Sequence, residues 1–344
     1  MSSQPLTLKA KLGLILFGVM LSLVASEVFL HFYMRAPKGT EFESLDDLRR
    51  AMLNPSETNP GGGQDEYESG NLRGLVAPHP KDEIIFDMLP NLDLKFQRAR
   101  VQTNSCGMRS PERPITKPAG TMRIALLGDS FAFGWGVEQE ESFAQVMENA
   151  LNRIADGKVK FEVLNFGIPG YSTFQQVAKF AESGLDFDPD AVLVFFIEND
   201  FGFPFFVRDV NNPGSMLSAV SFAKLTWQAV VDPKIEEQKQ RLNSYDPNRA
   251  LAQLADLCKD RGIKLYFTIN PKKDWKKHKK RLWILRERPW DIRSLELRPN
   301  FERIISDQAI EEKALTLSFD PHPSPLRHRI YGELLASELM EIVP

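Results

Sequence analysis

The sequence predicts an α/β fold, a parallel sheet with helices on both faces, carried behind an N-terminal membrane-spanning segment. Three observations lead there. Short apolar runs alternate with helical stretches from Met122 onward, the pattern of a parallel sheet covered on two sides. Four short motifs fall at the ends of apolar runs, where such sheets bind ligands. The apolar run Leu12–Met34 sits near the N-terminus behind Lys9 and Lys11.

The chain of 344 residues allows one large domain with accessories, or two small domains. Hydrophobic residues make up 42% and charged residues 26%, enough for a packed core. A net charge of −3 and a pI near 6.1 give no sign of nucleic-acid binding. Two cysteines, Cys106 and Cys258, exclude a disulfide framework and a cysteine-rich zinc site. They read as a pair formed in an oxidising compartment or as two unrelated buried thiols.

As a helix, Leu12–Met34 spans roughly 34 Å, enough to cross a bilayer. Glu27 and His31 interrupt its apolar character near the far end, where a tilted helix brings them toward headgroups. Val24-Ala25-Ser26 offers a cleavage site for the competing reading, a signal peptide. Both readings send the rest of the chain across the membrane. The expected organisation is a cytoplasmic stub at 1–11, an anchor at 12–34, an extracytoplasmic tether and extended segment at 35–120, and a domain at 121–344. The expected location is the periplasm.

Within the tether, Asn59-Pro60-Gly61-Gly62-Gly63 is a plain breaker. Residues 83–110 read as short extended pieces lying against the domain. Arg123–Leu127 is the first buried strand and ends at Gly128. Glu141–Ile154 places Phe143, Met147, Leu151 and Ile154 on one helical face. Phe161–Asn165 is a second strand. Ser172 or Thr173 caps a helix carrying Phe174 and Val177. Ala191–Ile197 is the most apolar run and reads as the central strand. Residues 201–245 break the alternation as an insertion. Asp246-Pro247 opens a helix that stops at Gly262. Lys264–Ile269 is a fourth strand and Ala314–Phe319 a fifth. Ser324-Pro325 opens the last helix.

The motifs are Gly128-Asp129-Ser130, Gly167-Ile168-Pro169-Gly170, Glu198-Asn199-Asp200 and Asp320-Pro321-His322. Singly each is ordinary turn or loop chemistry. Together they hold the parts of acyl transfer: a serine hydroxyl, an imidazole to take its proton, a carboxylate beside the imidazole, and small residues that expose backbone donors. Of five histidines, His31 lies in the anchor, His79 in the tether and His278 in a basic run. His322 at a strand end is the candidate base. His328, inside the last helix, reads as a packing or surface residue.

These motifs, in this order, resemble the SGNH (also called GDSL) hydrolase family over about residues 121–344. Asn104-Ser105-Cys106-Gly107-Met108-Arg109 resembles the segment that precedes the domain in membrane-anchored bacterial members. The resemblance implies a three-layer α/β/α domain with a flavodoxin-like sheet. It implies Ser130 as nucleophile, His322 as base and Asp320 as the residue orienting it. It implies an oxyanion site made by the Ser130 and Gly170 N–H groups and the Asn199 amide, with no cofactor or metal. Asp129 braces the nucleophile turn. The family usually spaces its aspartate three residues before the histidine, and here the spacing is two. Ile197 stands where many members have glycine, and Gly167 competes with Gly170 for the oxyanion role. The nucleophile elbow of the α/β-hydrolases, G-x-S-x-G, is not met at Ser130-Phe131-Ala132. Nor do Gly128, Gly134 and Gly136 make a dinucleotide fingerprint.

The expected function is hydrolysis of an extracytoplasmic acyl ester, the substrate an ester or acylated glycan and the membrane contacted through the N-terminal helix. An O-acyl transferase with the same Ser/His site, and a non-catalytic binding or scaffold module, are the alternatives. The basic run 272–288 with Trp275 and Trp283 reads as a solvated helix face, or as a contact for anionic headgroups or glycan.

Overall fold

The computed structural model describes residues 7–33, 72, 74–197, 200, 246–272, 281–285 and 291–342. The tether over 34–71, Asn199, the insertion 201–245 and most of the basic run lie outside the described residues. The chain divides into two units. The first contributes one described element, α1 (Leu8–Tyr33). Its stretch Leu8–Val28 is long and apolar enough to cross a membrane by length and composition.

The second unit opens with two antiparallel hairpins. β1 (Val76–Pro78) pairs with β2 (Phe86–Met88), and β3 (Asp93–Phe96) with β4 (Ala99–Gln102). Strand β1 lies inside the stretch expected to be tether. Leu75, Ile84 and Ile85 around it are fully buried, so this chain is tied down by burial.

Five parallel strands follow, in the spatial order β6-β5-β7-β8-β9. They are β5 (Thr121–Leu127), β6 (Lys160–Asn165), β7 (Ala191–Phe196), β8 (Lys264–Ile269) and β9 (Ile292–Ser294). Every residue of β7 is buried, as a central strand covered on both faces requires. Alternate residues divide between two cores. Ile124, Leu126, Leu193 and Phe195 face one cluster, which holds α3 (Phe143–Ala155) and α7 (Pro325–Ile342). Ala125, Leu127, Val192, Val194 and Phe196 face the other, with α4 (Thr173–Lys179) and α5 (Pro247–Asp260). A short helix, α6 (Arg298–Asp307), sends Phe301 into the first core. The result is three layers, α/β/α. The chain moves from β5 outward to β6, then returns past β5 to β7. Right-handed crossovers therefore place α3 and α4 on opposite faces, and the strand order reverses at β5.

Local chemistry sets the helix ends. Ser142 accepts the Gln145 N–H to start α3. At the start of α4 the Gln175 side chain reaches back and accepts the Ser172 N–H at 3.2 Å. Asp246 caps α5 with Pro247 in its first turn.

Four expectations change. Ala314–Phe319 is not a strand: Glu312–Leu315 is a 3-10 turn, and Thr316 bridges Pro323 in a closed loop. Pro321 and Pro323 lack the N–H groups a ladder would need. The fifth strand is β9, an edge strand of three residues. Ile154, counted with the buried face of α3, is 47% exposed. Cys106 and Cys258 are both free, the first exposed and the second buried.

Arg123 anchors the sheet to the chain before it. It is fully buried on β5, with Nε on Glu162 at 3.0 Å, Nη1 on the carbonyls of Ile115 and Phe187, and Nη2 on that of Pro114. Burial works against ionisation of Glu162, but Lys160, Arg123 and Arg113 outweigh it and hold the carboxyl below its ordinary range. Arg123→Ala leaves three carbonyls and the buried Glu162 carboxylate without this donor. The expected cost is about 3–5 kcal/mol in denaturant unfolding. Arg123→Lys recovers only part of it, because an ammonium cannot span the same acceptors.

Candidate active site

The site is built where the strand order reverses. After β5 the chain passes Gly128 and Asp129 into a four-residue helical turn, α2 (Ser130–Phe133). Asp129 is fully buried and accepts the Phe131 N–H at 3.0 Å, so it caps this turn. Two glycines let the turn sit close. A Cβ on Gly128 would meet Ala132 Cβ at 2.6 Å, and one on Gly167 would meet the Phe133 nitrogen at 2.5 Å. Ser130 stands at the start of α2, 7% exposed.

His322 comes from the closed loop before α7. Its carbonyl accepts the Leu317 N–H at 2.9 Å, so the loop is tied across its own base. His322 Nε2 lies 2.9 Å from Ser130 Oγ. On the other side of the ring, Nδ1 contacts Asp320 Oδ1, which also accepts the His322 backbone N–H at 2.9 Å. The spacing of two residues works because the Asp320 carboxylate folds back as an Asx turn. With the Nδ1 proton held on Asp320, Nε2 is left as the acceptor and the Ser130 hydroxyl donates to it. Burial opposes ionisation of Asp320, yet the His322 ring and backbone N–H hold its carboxyl below the ordinary range. The Trp135 indole N–H makes no hydrogen bond of ordinary geometry, but adds to that effect.

Ser130 Oγ is also 3.2 Å from Asp129 Oδ2, a longer contact than that to His322. Asp200 lies fully buried at the end of β7. It accepts from Thr173 Oγ1 at 3.0 Å, Gln176 Nε2 at 2.8 Å and the Ile197 N–H at 2.6 Å. Burial and the charge of Asp129 push its carboxyl well up. Asp200 thereby fastens the third motif to the start of α4. Its neighbour Asn199 is outside the described residues.

The two candidate glycines separate by their hydrogen bonds. The Gly167 N–H is occupied by Asn165 Oδ1 at 3.0 Å, and Asn165 Nδ2 donates to the Ala132 carbonyl at 2.9 Å. The Gly170 N–H makes no hydrogen bond among the described residues. Gly170 has φ +82°, a conformation that suits glycine.

His328 is fully buried and accepts the Phe143 N–H on Nδ1 at 3.1 Å, at the first residue of α3. Burial, then the charges of Arg109, Arg327 and His322, pull its pKa down to about 3. In the unfolded chain an imidazole titrates near 6.5. The stability of neutral His328 is therefore full above about pH 6.5 and is lost as the pH falls toward about 3. His328→Gln is expected to flatten that acid loss by up to about 1.4 kcal/mol per pH unit. Urea unfolding at pH 7 and pH 5 measures it, and equal slopes for both proteins would count against the buried neutral ring.

Two residues at the site were not singled out as functional from the sequence. Trp135 stacks on the His322 ring, and Arg109 grips the loop that carries Trp135. Among the described residues no group of three or more His, Cys, Asp or Glu could hold a metal ion.

A three-layer α/β/α fold carries a serine, a histidine and an aspartate in line at the switch point of its sheet. The sequence model of the GDSL-like Lipase/Acylhydrolase family matches residues 126–330, more than half of the chain, and the chain belongs to that family. No match is found among curated proteins. Solved structures with similar folds include a two-domain esterase (CEX) active on acetylated mannans, at 16% identity and a TM-score of 0.38, covering 64% of this chain and 50% of that one. The chain thus spans half the length of that esterase. Another is the psychrotrophic esterase EstA from Pseudoalteromonas sp., at 11% identity and 0.38, covering 64% and 97%. A third is the lipase/acylhydrolase from Enterococcus faecalis, at 13% identity and 0.36, covering 65% and 97%.

Proposed function

We propose that the protein is a serine esterase whose site faces the extracytoplasmic side of a membrane to which α1 anchors it. The observation that carries the chemistry is the continuous line from Asp320 through His322 to Ser130 Oγ. Family membership supports the reaction class. Lys9 and Lys11 ahead of the apolar run support the orientation.

Ser130 Oγ attacks the ester carbonyl carbon while its proton passes to His322 Nε2. The carbonyl oxygen becomes an oxyanion, received by the Ser130 and Gly170 N–H groups and by the Asn199 amide. Each such donor is worth about 2.7–4 kcal/mol in other hydrolases. The bond to the alcohol oxygen then breaks, and the alcohol leaves with the proton from His322. Water, deprotonated by the same nitrogen, attacks the acyl-enzyme, releases the acid and restores Ser130. Asp320 holds the imidazole in register and balances its positive charge. If a sugar hydroxyl enters in place of water, the same steps give acyl transfer.

The test uses the full-length chain in detergent with short acyl esters and acylated oligosaccharides, with and without added acceptor glycan. Released acid, and an acyl mass on the peptide containing Ser130 after rapid quenching, are expected. Acylated acceptor would identify a transferase. Neither turnover nor acyl-enzyme across the panel would leave a binding module on this fold.

A further inference from the structure

We propose that residues 93–109, which lie ahead of the matched family region, are a working part of the active site: through Trp135 they fix the orientation of His322 toward Ser130. The inference rests on the reading of Ser130 and His322 given above.

Trp135 lies parallel to the His322 ring, centroids 4.9 Å apart and planes 17° apart. Rotation of a histidine about its last side-chain torsion is soft. A flat ring against one face removes that freedom, and with it the swing that would carry Nε2 away from Ser130. Trp135 is itself held from two directions. Phe96, at the end of β3, meets it edge-on at 4.9 Å and 82°. Arg109, 3% exposed, grips the loop on both sides of it. Its Nη1 donates to the carbonyls of Phe133, at 3.2 Å, and Gly134; its Nη2 donates to those of Val137 at 2.6 Å and Arg100 at 3.0 Å. Burial pulls this guanidinium down to about 10, against the charges of Glu138 and Glu140. It has no carboxylate partner within salt-bridge distance among the described residues; its acceptors are backbone carbonyls.

The same segment reaches the opposite loop. Arg98, in the β3–β4 turn, lies 4.2 Å over the ring of Phe319, next to Asp320. Gly136 (φ +72°) brings the Trp135 loop against the loop of His322, where an added Cβ would strike Leu317 Cδ1 at 2.5 Å. The hairpin and Arg109 thus hold together the two loops whose rings must stay stacked. Trp135 and Arg109 are positioning residues, acting through His322.

The test measures kcat, KM and the rate of fluorophosphonate labelling for the full-length protein, corrected for the folded fraction. Trp135→Leu is expected to lower kcat and labelling about 10–100-fold with KM unchanged within about twofold, the scale of a misplaced catalytic group. Trp135→Phe keeps a flat ring and is expected to recover to within about fivefold. Arg109→Lys, which cannot reach the same carbonyls, falls between them. If Trp135→Leu does not fold, Phe96→Leu decides, with an expected drop of about 3–10-fold in kcat alone. A rise in KM at constant kcat, or full activity per folded molecule, would overturn the inference while leaving the Ser130 reading intact. A wild-type protein that neither turns over esters nor labels would overturn both.

Discussion

Ser130→Ala in the full-length chain is expected to lower kcat/KM for ester hydrolysis by at least about 10³-fold, to the level left by substrate binding and oxyanion donors. The substitution removes one hydroxyl whose contacts are His322 Nε2 and Asp129 Oδ2, so stability is expected to change by about 1 kcal/mol or less. His322→Ala should cost a similar factor, because it removes the imidazole nitrogen that contacts Ser130 Oγ and leaves the hydroxyl only the more distant Asp129 Oδ2 as a side-chain contact among the described residues. The double variant should be no worse than either single one, since the two groups act as a unit. Additive losses would mean that Ser130 and His322 serve separate steps.

Asp320→Asn is the second large effect, expected to lower kcat about 10²–10⁴-fold. An amide presents an N–H where Nδ1 now has an acceptor, and so favours the imidazole tautomer that cannot take the Ser130 proton. The substitution also carries a stability signature. The Asp320 carboxyl is held below its ordinary value in the folded protein. Its contribution is therefore present above the unfolded carboxylate pKa near 3.9 and is lost as the pH falls through the lower folded value. Asp320→Asn should be less stable than wild type at pH 7, with the gap closing below about pH 4. Steady-state rates and unfolding at both pH values measure the two parts. An unchanged kcat would place the orienting role elsewhere.

Much of this was readable in the chain. Strands β5 to β8 are apolar runs bounded by glycines, caps and prolines, and each formed close to its expected bounds. Strand β9 was not readable because an edge strand of three residues, Ile292-Arg293-Ser294, needs no apolar run. Ala314–Phe319 had strand-like composition, but the prolines after it close the chain into the loop that presents His322. At the site, strand-end motifs marked Ser130, Asp320 and His322. The difference between Gly167 and Gly170 lies in Asn165, whose side chain occupies the Gly167 N–H, and no local pattern announces that. Trp135 and Arg109 were hidden for a related reason. Their roles lie in contacts across long stretches of sequence, the ring stack with His322 above all. The motif carrying Arg109 was visible, while the loop it grips was not.

The most direct measurement is fluorophosphonate labelling of the full-length chain in wild type, Ser130→Ala and His322→Ala, with the modified peptide mapped by mass spectrometry. Modification of Ser130 in the wild type, lost in Ser130→Ala and slowed by orders of magnitude in His322→Ala, is the expected result. A folded wild type that takes no label, or takes it at another residue, would contradict the assignment of Ser130 as an activated nucleophile.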